Sequence, residues 1–408
     1  MNSKPRGRQF FFNPGPTHIP DRVLDAMHRP TIDFLSDEFK VVLADTHASL
    51  KRALKTQQHV LLHAANGHGA WEAALCNVFR EGDKLLMLES GYFSFHWTKM
   101  AKDLGLEVEL LAADWRTGVS PDRFAERLAQ DTAHEIKGVL LVHNETATGH
   151  VQPLPKIRAA IDDAKHPAML LVDTISSFGS MEFDFDKCGV DVAVGGSQKG
   201  LMMVAGMSFS GISERAMAAS REHHMKRNYF DWQQLLLVEP QRFPGTSPVH
   251  LIYGLHEALK IIEEESLDAV IARHGRLAGA VRAVVEHWGG GETNRSVMIN
   301  DDGVSGPITQ IQLMMHEAER HSDSVTAILV PDGHDSNAMR KIAVSRYNLS
   351  LGQGLGPLAG KAFRIGHLGD LNEPMLLGAL ATTEMALKAS GIPYHTGGIN
   401  AAIDALSD

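Results

Sequence analysis

Between about residues 55 and 265 the chain alternates short apolar runs with amphipathic stretches of helical period. The apolar runs predict strands at 59–63, 84–89, 107–112, 138–143, 168–173, 190–195 and 205–210. Val139-Leu140-Leu141-Val142 and Met169-Leu170-Leu171-Val172 are apolar at successive rather than alternate positions, the mark of strands covered on both faces. Helical patterns fill several of the gaps, including 69–80 and 154–165. Together they predict an α/β fold with a mostly parallel, seven-stranded sheet between helical layers.

The pattern changes near residue 266, where a long helix (267–288) is followed by a strand (324–330), a helix (334–345), a strand (361–365) and a helix (373–390). A smaller C-terminal α+β domain is expected, completed by the N-terminal segment. That places the large domain at 30–265 and the small one at 1–29 and 266–408. The interval 289–320 is less regular: Asn300-Asp301-Asp302-Gly303 signals a turn, and 308–313 fits a strand or a helix. His316-Glu317…His321 has one residue too many for an HExxH motif, so its histidines do not share a helical face and no zinc site is expected.

Composition narrows the class. With 408 residues, 44% of them hydrophobic and 22% charged, the chain can bury a large core. Its longest apolar runs fall far short of the roughly 18 residues of a membrane-spanning helix. Forty-nine acidic against 39 basic residues give a net charge of −10, which weighs against general nucleic-acid binding and leaves room for a local anion site. Cys76 and Cys188 lack metal-ligand spacing and fit a reducing, cytoplasmic location. The basic N-terminus, with Phe10-Phe11-Phe12 too short for a signal sequence, is expected to be a tail.

Chemistry gathers at the predicted strand ends, where open α/β sheets bind ligands. Lys199 lies in Gly195-Gly196-Ser197-Gln198-Lys199-Gly200 after one buried run, and Asp173 ends another run 26 residues upstream. A lysine on such a loop can form a Schiff base with an aldehyde cofactor, and a neighbouring carboxylate can keep a pyridinium nitrogen protonated. Taken singly, they read as a surface lysine and a helix-capping aspartate; their company points to pyridoxal 5′-phosphate (PLP). Asn66-Gly67-His68-Gly69 opens a predicted helix and can hold a phosphate on free amides, with Gln198 as a further donor. Phe93 follows the 84–89 run and can cover a planar ring, although a core aromatic is the plainer alternative. His143-Asn144-Glu145-Thr146-Ala147-Thr148-Gly149 clusters hydroxyls and an acid, and reads equally as a side-chain-bonded turn. Ile175 is placed to pack beneath a ring whose nitrogen meets Asp173. Arg364 ends an apolar run in the small domain and suits a substrate carboxylate, with a surface ion pair as its alternative.

From Asn13-Pro14-Gly15-Pro16 to the helix after Arg364, the chain resembles the class V aminotransferases of PLP fold type I. Within them it is similar to the serine–glyoxylate and alanine–glyoxylate enzymes. The resemblance implies Lys199 as the Schiff-base lysine, Asp173 as the ring-nitrogen partner, Gln198 and the backbone amides of Gly67, His68 and Gly69 around the phosphate, and the His68 ring near the cofactor ring. It also implies Phe93 over the ring, Thr146 near the ring oxygen, and Arg364 with Gly15 on the substrate side. Thr246 matches a threonine that reaches the phosphate of a neighbouring subunit, which implies a homodimer with shared sites, or a tetramer of such dimers.

The chain departs from these enzymes in places. Asp33-Phe34-Leu35-Ser36 replaces a usual Asp-His-Arg-Ser, Asn66-Gly67-His68-Gly69 a Ser-Gly-Thr-Gly, and Phe243 and Gly245 stand where tyrosines are common. The implied reaction is transamination between serine or alanine and glyoxylate or a related 2-oxoacid. The alternatives are an aspartate–glyoxylate or other class V aminotransferase, and a PLP-dependent lyase. The absence of cysteine after Cys188 argues against a cysteine desulfurase. A non-enzymatic phosphate- or nucleotide-binding protein is the remaining alternative.

Overall fold

The computed structural model describes residues 6–222, 225–241, 243–291 and 296–407. Its seven-stranded sheet runs, edge to edge, His59–His63, Ser208–Ile212, Val192–Gly196, Met169–Asp173, Ile136–Val142, Lys84–Leu88 and Glu107–Leu111. Ser208–Ile212 is antiparallel to both neighbours, and the other adjacent pairs are parallel. The central strands are buried along nearly their whole length, as their unbroken apolar runs require. One core cluster, including Leu62, Val139, Leu141, Val172 and Phe209, packs on one face; a second, including Leu61, Trp71, Leu140, Leu171 and Trp232, packs on the other.

The last strand begins three residues later than its apolar pattern suggests. Val204 and Met207 are spent folding the preceding loop under Ser197, which donates its hydroxyl to the Val204 carbonyl (2.7 Å) and its N–H to that of Met207 (3.0 Å). The strand direction was likewise hidden, since a run buried on both faces carries no polarity.

A second sheet of five strands runs Phe10–Phe12, Leu349–Gln353, Ala362–Gly366, Val325–Leu329 and Gln312–Leu313. Phe10–Phe12, in the N-terminal segment expected to complete the small domain, pairs in parallel with Leu349–Gln353, and Phe12 is buried in that sheet's core. Residues 1–5 of the expected tail lie outside the described residues. The Leu267–Trp288 and Glu373–Ser390 helices cover this core, as their patterns predict. In the irregular interval only Gln312–Leu313 of 308–313 is strand, and Ala318–Arg320 forms a single 3-10 turn between His316 and His321.

Candidate active site

Five parallel strands of the large sheet end on one cleft of about 240 Å³. The segments that follow them supply its walls: Gly67, His68 and Trp71; Phe93; Asn144 and Thr146; Ile175 and Ser176 beside Asp173; and Gln198 with Lys199. Gly15 enters from the N-terminal segment. Of the residues predicted from sequence, Gly15, Gly67, His68, Phe93, Thr146, Asp173, Ile175, Gln198 and Lys199 therefore meet at one place.

Lys199 is held by a turn that tolerates no bulk. A Cβ on Gly200 would fall 2.2 Å from the Phe178 carbonyl oxygen, and one on Gly15 (φ +98°) would fall 2.2 Å from Lys199 Cδ. The amine donates to the Pro14 carbonyl. Burial pushes the Lys199 ammonium down to about 7, helped by the Arg364 charge and opposed by Asp173 and Glu145. Asp173 Oδ1 accepts from the Ile175 amide (2.6 Å) and Oδ2 from the Trp71 indole (3.1 Å). Burial raises its carboxyl to about 7 against both hydrogen bonds and the Lys199 charge. A buried amine and a buried acid, each shifted by burial toward its neutral form, are the pattern of a functional rather than a structural pair.

The cleft's apolar side is built by close packing. Gly67 opens the Gly67–Val78 helix, and a Cβ there would lie 2.3 Å from Ile175 Cδ1, so its lack of a side chain makes room for Ile175. Gly69 faces Ala65 and Phe230 instead, and does not line the cleft. At the helix start the Asn66 side chain accepts from the His68 amide (3.1 Å) and the Asn66 carbonyl from Gly69 (2.9 Å). The helix thus caps itself, and an anion would compete with Asn66 for the His68 amide. Trp71 lies over Trp97 (5.5 Å, 14°) and edge-on to Phe93 (6.4 Å), while the His68 ring leans on Trp71 at 4.4 Å.

Arg364 stands behind this wall. Its Nε donates to the Gln353 carbonyl and its Nη1 to the Thr146 carbonyl, both at 2.8 Å, and its charge still reaches Lys199 and Glu145. Thr246 is exposed and away from the cleft. Phe34 packs partly buried on the large core and Leu35 is exposed, so neither reaches the cleft. Sequence reasoning missed Trp71 and Ser176 as functional candidates, and named Asn144 and Glu145 only within the 143–149 cluster, without a role for either. Trp71 had one available signal: it follows Gly67 by four positions and so shares its helical face.

Comparison with known proteins agrees with this geometry. A sequence model of the family described as Aminotransferase class-V matches residues 9–350. The serine–glyoxylate aminotransferase of Hyphomicrobium methylovorum is 42% identical over 97% of this chain and 94% of its own. The L-aspartate–glyoxylate aminotransferase of Paracoccus denitrificans is also 42% identical, over 96% and 94%. Among solved structures, pyridoxamine-pyruvate aminotransferase from Mesorhizobium loti superposes with a TM-score of 0.84 at 26% identity, covering 100% of this chain and 99% of the other.

Proposed function

Because this chain belongs to the class-V aminotransferases, we propose that it transfers an amino group from a small neutral amino acid, serine or alanine, to glyoxylate, with PLP as cofactor. The observation that carries the reading is the buried Lys199 amine beside the buried Asp173 carboxylate on one cleft at the strand ends. Their costly burial is the mark of a functional pair.

The cleft fits the cofactor. Gln198 Oε1 and Asn144 Oδ1 are buried on its walls without hydrogen-bond partners, polar ends that a bound ligand would satisfy. Rotation of the Gln198 amide would present N–H groups instead, whereas Asn144 is fixed by the bond from its Nδ2 to the Ser176 carbonyl (3.2 Å). Lys199 would attach PLP, Asp173 face its ring nitrogen, Ile175 and Phe93 enclose the ring, and Gln198 with the Gly67–His68 backbone take the phosphate. When bound, PLP supplies an aldehyde for the amino group and a ring that draws electrons from the substrate's α-carbon.

The chain's own groups do the rest. Near pH 7 the Lys199 Nζ is readily neutral, so it can take a proton from a carbon held before it and return it elsewhere. Asp173, fixed by the Ile175 amide and the Trp71 indole, keeps its charge aimed at one place. Arg364 has Nη2 free of those two carbonyl bonds and would bind the substrate carboxylate once turned into the cleft.

The donor follows from charge. Among the described residues, Lys199 is the one Lys or Arg on the cleft wall, and burial holds His68 toward its neutral form. A second carboxylate on the donor would find no cation there. An exposed Thr246, free to reach a second copy, supports a homodimer with shared sites, whether alone or doubled into a tetramer. No described helix is long and apolar enough to cross a membrane, and with two unpaired cysteines a cytoplasmic location is proposed. The test compares kcat/KM for serine, alanine and aspartate at saturating glyoxylate: serine or alanine should lead, and a clear preference for aspartate would overturn the donor assignment.

A further inference from the structure

Glu145 is fully buried, and its carboxylate gathers three backbone N–H groups from two separate segments. Oε2 accepts from Phe93 (3.0 Å) and Ser94 (3.2 Å), and Oε1 from Ala147 (3.0 Å). The first two amides open the Tyr92–Asp103 helix, whose N-cap residue, Gly91, has no side chain to offer them. Glu145 supplies that cap from another strand end, in a contact so close that a Cβ on Gly91 would lie 2.6 Å from Glu145 Cγ. The adjoining Thr146 carbonyl receives the Arg364 guanidinium (2.8 Å). One buried acid therefore joins the helix that carries Phe93 to the loop that holds Arg364.

Its charge also matters here, since a neutral Ser or Asn would cap a helix without the cost of burying a carboxylate. The charged groups around it are Lys199 and Arg364, whose cationic forms it favours, and Asp173, which opposes its ionisation. His150, its cross-strand partner, is held neutral by burial and by Arg320. Burial and Asp173 raise the Glu145 carboxyl to about 7, against its three N–H bonds.

We propose that Glu145 is a positioning residue that keeps the Phe93 ring and the Arg364 guanidinium in register, so that the cofactor and substrate-carboxylate sites form together. The inference rests on the aminotransferase reading and is tested in the full-length chain. Two constants are measured: the PLP dissociation constant by equilibrium dialysis, and the KM for serine at saturating PLP and glyoxylate. Glu145→Gln has only one acceptor oxygen and turns an N–H₂ toward backbone donors, so both constants should rise about tenfold. Glu145→Asp, which keeps the charge but withdraws it by one methylene, should fall between Gln and wild type. Phe93→Ala should raise the PLP constant alone.

If Glu145→Gln lowers Tm while both constants stay within twofold of wild type, Glu145 is a structural cap and the inference is wrong. It is equally wrong if Glu145→Gln, like Phe93→Ala, moves the PLP constant alone. Should Glu145→Gln fail to fold, Glu145→Asp decides by the same constants. A wild-type chain that binds no PLP would instead refute the functional reading, which separates the two failures.

Discussion

Replacing Lys199 by methionine should stabilise the cofactor-free chain while abolishing its chemistry. Burial lowers the lysine from 10.5 to about 7. At about 1.4 kcal/mol per unit, the folded state below pH 7 carries a cost on the order of 5 kcal/mol that the unfolded chain does not. Methionine, of similar length, carries no charge there and loses the bond to the Pro14 carbonyl, worth about 1–2 kcal/mol. At pH 6 Asp173, raised to about 7, is mostly protonated, so the substitution leaves no unpaired buried charge.

The net gain is about 3 kcal/mol, roughly 3–4 °C in Tm for a chain of this length. The sign reverses with pH. Between about 7 and 10.5 the native lysine binds fewer protons than the unfolded one, so the parent gains stability as pH rises through that window and the variant does not. The assay is thermal unfolding of cofactor-free parent and Lys199→Met at pH 6 and pH 9.5. The advantage should be present at pH 6 and gone at 9.5; an equal destabilisation at both would show that the amine is not held at a cost.

Three further outcomes follow from the same geometry. Asp173→Asn should keep the fold and lower the transamination rate about a hundredfold or more, measured as single-turnover kinetics, because a neutral amide cannot hold a ring nitrogen protonated; an unchanged rate would reduce Asp173 to a structural cap. Trp71→Phe removes a donor to the ionised Asp173, so the Asp173 pKa should rise by about one unit and the acid limb of the pH–rate profile should move to higher pH; superimposable profiles would contradict this. Gly15→Ala places a methyl against Lys199 at a positive φ, so PLP affinity measured by dialysis should fall at least tenfold, whereas wild-type affinity would mean that the N-terminal segment yields freely.

What the sequence discloses and what it hides divide along physical lines. Lys199 and Asp173 were legible because one follows and the other ends an apolar run, and strand ends in an open α/β sheet are ligand positions whatever the remaining topology. The antiparallel Ser208–Ile212 strand was not, because burial on both faces erases alternation and carries no direction. The Trp71–Asp173 bond joins residues 102 apart, beyond the reach of any local pattern. Arg364 illustrates a subtler limit: its pattern places it at the end of an apolar run, yet it lies at the centre of the Ala362–Gly366 strand, and two backbone carbonyls already occupy its Nε and Nη1. Gly67 and Gly69 read alike as permissive loop residues, yet one makes room for Ile175 and the other for Ala65 and Phe230.

The central claim, nitrogen transfer to glyoxylate through a cofactor held on Lys199, is tested most directly by following the label in one reaction. Full-length protein loaded with PLP is given serine labelled at its amino nitrogen together with glyoxylate, in parallel with Lys199→Ala. The account predicts labelled glycine from the parent and none above background from the variant. Failure of the parent to form labelled glycine from serine or alanine, or equal formation by Lys199→Ala, would contradict it.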